Sequence, residues 1–177
     1  RETFVAGPRF MNKTFNNAIE VIIQERVKKN DTNPTFTDIK DALSKIKDDF
    51  CVIEELKGIY NLVTSNLQHH QNVSDHTIQV VKNLENNDYY NELSKGDKLI
   101  VKLAAYFHDI GKGPKSKWKD GIQPQYDDHP ADAISMVVRI LVEEFISISE
   151  DEIKKICLLV FYHDLIGDII NKGRSKE

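Results

Sequence analysis

The sequence predicts an all-α domain, and three observations predict it. Apolar residues return every three or four positions in one segment after another, capping or breaking residues punctuate those segments, and no stretch alternates apolar with polar as a half-buried strand would. The pattern marks about six to seven helices in one bundle. At 177 residues the chain is long enough for a single domain with a substantial core.

Residues 1 to 11 form an irregular lead broken at Gly7-Pro8. Phe15, Ala18, Ile19, Ile22 and Ile23 then mark a helix over about Lys13 to Lys29, closed by Asn30 to Pro34. Thr37 is the expected cap of a second helix bearing Ile39, Ala42, Leu43, Ile46 and Phe50. A third is expected from about Val52 to Leu67, with Ile53, Leu56, Tyr60, Val63 and Leu67 facing inward. Ser74 is expected to cap a helix holding His76, Val80, Val81 and Leu84. After a polar break at Asn86 to Asn91, Ser94 and Asp97 open the next helix, LIVKLAAYFHDIGK, which Gly111 and Gly113-Pro114 end. Residues 112 to 127 form a loop with the lone tryptophan, Trp118. Asp128 or His129 caps the following helix, because Pro130 suits a first turn; its stripe is Ala133, Met136, Val137, Ile140 and Leu141. Ser149 and Glu152 make a capping box for the last helix, Glu150 to about Leu165, on which Ile153, Ile156, Val160 and His163 line up. The polar tail from Asn171 is expected to fray.

The formal charge of -4 argues against a broad nucleic-acid grip, although Lys112, Lys115, Lys117 and Lys119 form one local basic patch. Two cysteines, Cys51 and Cys157, have neither zinc-clip spacing nor the density of a secreted disulfide scaffold, so a reducing, cytoplasmic setting is expected. No apolar run approaches the roughly 18 residues of a membrane span, and no signal-peptide pattern opens the chain. The first residue is Arg1 rather than Met, which suits a processed product or an excised piece. Neither a GxSxG elbow nor a P-loop occurs, so serine hydrolysis and triphosphate motor chemistry lack support.

All six histidines lie between His69 and His163. Four of them, His76, His108, His129 and His163, sit at the apolar edge of separate predicted helices. Burying four imidazoles costs desolvation at each, whereas a metal held between helices satisfies them jointly. Asp109 and Asp164 add carboxylates, and nitrogen with oxygen donors suits manganese, iron, cobalt, nickel or zinc. The alternative for each ring is a core histidine with hydrogen-bonded nitrogens. His69 and His70 either reach a substrate or face solvent, and Trp118 and Tyr126 either line a base pocket or pin their loop.

The ordered series QNVSDHT, AAYFHDIGK, DDHPADA and LVFYHDLIGD resembles the HD-domain superfamily of metal-dependent phosphohydrolases, over roughly residues 69 to 168. Within that superfamily the set is similar to HD modules associated with RNA end-processing enzymes and with nucleotidases. The resemblance implies a single HD-type helical bundle, with residues 1–68 as a helical layer packed on the same domain, 69–170 as the metal-binding core and 171–177 as a polar tail. It further implies that His76, His108 and Asp109 bind a first metal and that His129 and His163 bind a second, with Asp109 bridging. Two ions about 3.5–4 Å apart would supply hydroxide and neutralise phosphoryl charge, while Lys112 offers a cation to a phosphate. Members of the family close the first site with a further aspartate; Asp164, Asp168 or a residue beyond Glu177 would take that part.

The expected function is therefore hydrolysis of a phosphomonoester or phosphodiester, with Asp109 and Lys112 as catalytic residues. The cofactor is one or two divalent ions, with magnesium admitted beside the transition metals. A nucleotide or an RNA end is the expected substrate, and neither a membrane nor a protein partner is evident. The alternatives are a di-iron oxygenase of the same superfamily and a non-catalytic nucleotide-sensing or protein-binding module.

Overall fold

The computed structural model describes residues 9–28, 33–64, 71–119 and 129–162. Among them are eight α-helices: α1 (Arg9–Lys28), α2 (Ile39–Asp48), α3 (Glu54–Lys57), α4 (Val73–Leu84), α5 (Asp88–Asn91), α6 (Lys95–Phe107), α7 (His129–Glu143) and α8 (Glu150–Phe161). No strand forms among these residues; Phe36 and Phe145 make an isolated parallel bridge. The all-α class expected from periodicity is what the chain adopts.

Helix α6 is the centre of the bundle. Its second half is buried on every side, through Leu103, Ala104, Ala105, Tyr106 and Phe107, because α2, α4, α5 and α8 all pack on it. Full burial of a side chain such as Leu103 stabilises by about 1.5–3 kcal/mol relative to exposure. Helix α7 packs on α1, on α8 and on the short 3-10 turn Ile110–Lys112 that follows α6. One continuous core joins Ile19 and Ile23 of α1 to Ile46 of α2, Leu84 of α4 and Ile156 of α8.

Two ties hold the outer segments. The amides of Thr35 and Phe36 donate to the Glu144 carbonyl at 2.9 and 2.8 Å, and those of Ile146 and Ser147 return bonds to Phe36 and Thr37 at 2.9 and 2.8 Å. The Phe36 and Phe145 rings pack beside this clasp at 5.2 Å. Across the bundle, Arg139 of α7 grips both oxygens of Glu55 in α3, at 2.5 and 2.7 Å, and also reaches Glu143 at 3.2 Å. Such a two-pronged fit fixes direction as well as distance.

Several local expectations shift. Asp38, not Thr37, caps α2, accepting from the Asp41 amide; the Thr37 amide donates to the Asp41 side chain instead. Asn72, not Ser74, caps α4. Ser74 lies buried in the first turn, where its hydroxyl accepts from the Asn61 amide and donates to the Asn72 side chain, both at 2.9 Å. The expected third helix is a 3-10 turn (Phe50–Val52) and the single-turn α3. Ile59 and Leu62 are buried there, while Tyr60 and Val63 are exposed and Leu67 lies outside the described residues. The cause is tertiary: Asn61 adopts φ 56°, and the turned chain presents the Leu62 carbonyl to the Val73 amide at 2.8 Å. The polar break at 86–91 contains α5, capped by Asn87 and anchored by buried Tyr90. Ser94 caps α6 and the Ser149–Glu152 capping box forms at α8, as their spacing predicts.

Candidate metal centre

Helices α4 and α6 bring their opposite ends together. His76 lies in the opening turn of α4, and His108 is the residue on which α6 stops. Asp109 follows with φ -113° and ψ 11°, in the sparsely used bridge region where a helix gives way to a turn. Its side chain caps nothing in the next 3-10 turn, so the carboxylate is left to face the histidines. His108 and Asp109 are both buried, with relative exposures of 5% and 3%.

Asp109 Oδ2 stands 3.0 Å from His108 Nε2 and 3.8 Å from His76 Nε2. One donor atom from each of the three residues lies within 4.8 Å of the others. On the far side of His108, Nδ1 is 2.6 Å from the Ala105 carbonyl. A carbonyl only accepts, so Nδ1 carries the hydrogen, and the neutral ring presents a lone pair at Nε2. That lone pair faces a carboxylate oxygen, which also only accepts. Two acceptors at contact distance require a cation or a proton between them, and this is the chemical fit of the site to a metal ion. In its absence the proton serves. Burial pushes the His108 pKa down, but the Asp109 charge and hydrogen bond and the Ala105 carbonyl outweigh it and raise the value.

Lys112 completes the group. Its ammonium lies 3.7 Å from Asp109 Oδ1, and a cleft of about 20 Å³ opens beside it, lined by Thr64, Gln71, Asn72 and Val73 with His76 and Asp109. That volume holds about one water-sized body. The turn that carries Lys112 is fastened from two directions. Trp118 Nε1 donates to the Lys112 carbonyl, and Lys117 donates to the Gly111 carbonyl at 2.8 Å while pairing with Asp132 of α7. Gly113 is needed for a separate reason: a Cβ there would stand 2.5 Å from the Gly58 carbonyl oxygen.

Of the residues expected in the site, His76, His108, Asp109 and Lys112 thus come together. His129 is the first residue of α7, with Pro130 in the first turn, and α7 packs on the Ile110–Lys112 turn. Its side chain, like His163, Asp164, Asp168, His69, His70, Tyr126 and Asp128, lies outside what the structure describes. The expected basic patch is corrected at Lys117, whose charge is spent on Asp132 and on the Trp118 ring, 4.8 Å away. Trp118 accordingly pins its loop. The sequence reading missed the Ala105 carbonyl, which fixes the tautomer, and the Thr64, Gln71 and Asn72 lining. No side-chain pattern signals a backbone carbonyl.

A family model described as the HD domain matches residues 73–170, more than half of the chain. Neither a curated protein nor a solved structure matches it.

Proposed function

We propose that this chain, which belongs to the HD-domain family, is a metal-dependent phosphohydrolase acting on a phosphomonoester or phosphodiester, with a nucleotide or an RNA end as substrate. The observation that carries this reading is the convergence of His76, His108 and Asp109 within 4.8 Å, with Lys112 at the adjoining cleft.

In this reading His76 Nε2, His108 Nε2 and Asp109 Oδ2 hold a divalent cation, with His129 and His163 reserved for a second. Such a cation supplies a nucleophile at neutral pH by lowering the pKa of water and offsets charge on the phosphoryl oxygens. The chain's own residues do the rest. The Ala105 carbonyl holds His108 in the one tautomer that turns a lone pair inward. Asp109 is almost wholly buried, so its attraction for a bound cation would be little screened by solvent. Lys112 brings a second positive group to the cleft mouth, where it can orient a phosphate oxygen. The polar groups of Thr64 and Gln71 line the cleft and could offer hydrogen bonds there.

Metal analysis of protein purified without a chelator or a metal-affinity tag, paired with a panel of phosphoesters supplied with manganese, nickel or cobalt, tests the proposal. Bound metal and turnover of at least one phosphoester are expected. Metal without turnover across the panel would overturn the hydrolase reading, and oxygen uptake coupled to substrate loss would replace it with oxidative chemistry.

A further inference from the structure

Away from the metal centre, α2 and α4 both pack on α6, and the gap between them is an open trough of about 850 Å³. Its lining follows three helix faces: positions 40, 43, 44, 46 and 47 on α2, 78, 81 and 82 on α4 with Glu85 at its C-cap, and 99, 102 and 106 on α6. Each wall is one face of a helix running for two turns, about 10 Å. Half-buried Ile78 and Leu99 leave apolar surface uncovered along the floor.

The rim is basic. Lys40, Lys47, Lys82 and Lys102 stand on it against one acidic side chain, Glu85, in a chain whose net charge is -4. Glu85 is engaged by Lys102 at 3.6 Å. Lys40, Lys47 and Lys82 are exposed and make no ion pair with any described residue. They are spread along the trough rather than gathered at a point, with Lys40 and Lys47 two turns apart on one edge.

We propose that this trough docks an acidic amphipathic helix of a partner protein. Its apolar stripe would fill the floor and complete a four-helix layer with α2, α4 and α6, while carboxylates along its flanks meet the three exposed lysines. Two-turn walls match the i, i+3, i+4, i+7 spacing of such a helix. A single phosphate group, by contrast, would engage one lysine and leave the others unmatched. The inference is independent of what the metal centre hydrolyses.

The test is selection of a displayed library of randomised helical peptides on the full chain. Enriched peptides are expected to carry an apolar i, i+3, i+4, i+7 stripe with Asp or Glu on its flanks. They should perturb amide resonances of α2, α4 and α6, and bind at least about tenfold more weakly to the Lys40→Glu, Lys47→Glu, Lys82→Glu variant. The Lys→Gln set at the same positions, with unchanged melting temperature, repeats the comparison without added charge. Failure to enrich, enrichment without acidic bias, or equal binding to both variants overturns the proposal. So does a self-associating chain whose dimer the same variants dissolve, which gives the trough to a second copy, or displacement of the peptide by free nucleotide at the same residues.

Discussion

At the residue scale, the centre depends on which atom of each side chain holds a proton. His108 offers a lone pair at Nε2 because the Ala105 carbonyl occupies Nδ1–H. Since loss of even an outer partner of a metal ligand costs about 10–100-fold in affinity or activity, His108→Ala and Asp109→Ala are each expected to lose more than that; retention of full metal content and activity in both would overturn the assignment. Lys112→Ala should behave differently. It is expected to leave metal content unchanged while raising KM for a phosphoester about tenfold, as loss of a phosphate-orienting cation would. A pH effect follows from the raised pKa of His108. In chelated protein, protonated His108 stabilises the fold fully below its ordinary value of 6.5, and that contribution is lost as pH rises through the higher folded value. The melting-temperature advantage of chelated wild type over His108→Asn should therefore shrink as the buffer moves from acid to alkaline. Metal binding has the opposite dependence, because the ion competes with that proton for Nε2.

At the element scale, the short turn Ile110–Lys112 sets the geometry. It follows α6 after only His108 and Asp109, packs on α7, and is held by Trp118, Lys117 and the close pass of Gly113 over Gly58. Gly113→Ala places a methyl 2.5 Å from the Gly58 carbonyl oxygen, so either the turn or the 58–62 segment must move. The expected outcome is a lowered melting temperature together with weaker metal binding, read by thermal denaturation and metal titration of the same variant. Among these elements, those whose ends are chemically marked were the legible ones. The Ser94 cap and the Ser149–Glu152 box are local devices, and a local device can be read from spacing alone. The segment from Val52 to Leu67 has helical spacing too, but its path is set by the Leu62–Val73 and Asn61–Ser74 bonds, whose partners lie more than ten residues apart.

At the scale of the whole molecule, one core runs from α1 to α8, and the first half of the chain is built into it. Glu55 of α3 grips Arg139 of α7, and the 35–37 segment clasps 144–147. Removing residues 1–68 would expose the faces that Ile19, Phe36, Ile39 and Ile46 cover, so the remaining piece is expected to lose its cooperative thermal transition by circular dichroism. Glu55→Ala, which leaves the half-buried Arg139 without its main partner, should lower stability by about 1.5–3 kcal/mol in a denaturant titration.

The sequence by itself determined that the chain is helical, and its ordered motifs, through the family they resemble, grouped His76, His108 and Asp109, whose donor atoms the structure brings within 4.8 Å. Periodicity, caps and ordered motifs are written in neighbouring residues, and a helix aims a side chain by its position alone. Tertiary structure decided the rest: that Ser74 braces rather than caps, that Lys117 is a fastening rather than a free cation, and that His108 is held by a backbone carbonyl in the tautomer that turns Nε2 toward Asp109. Those outcomes depend on groups far apart in the chain, or on backbone atoms every residue shares, and neither leaves a mark in the order of side chains.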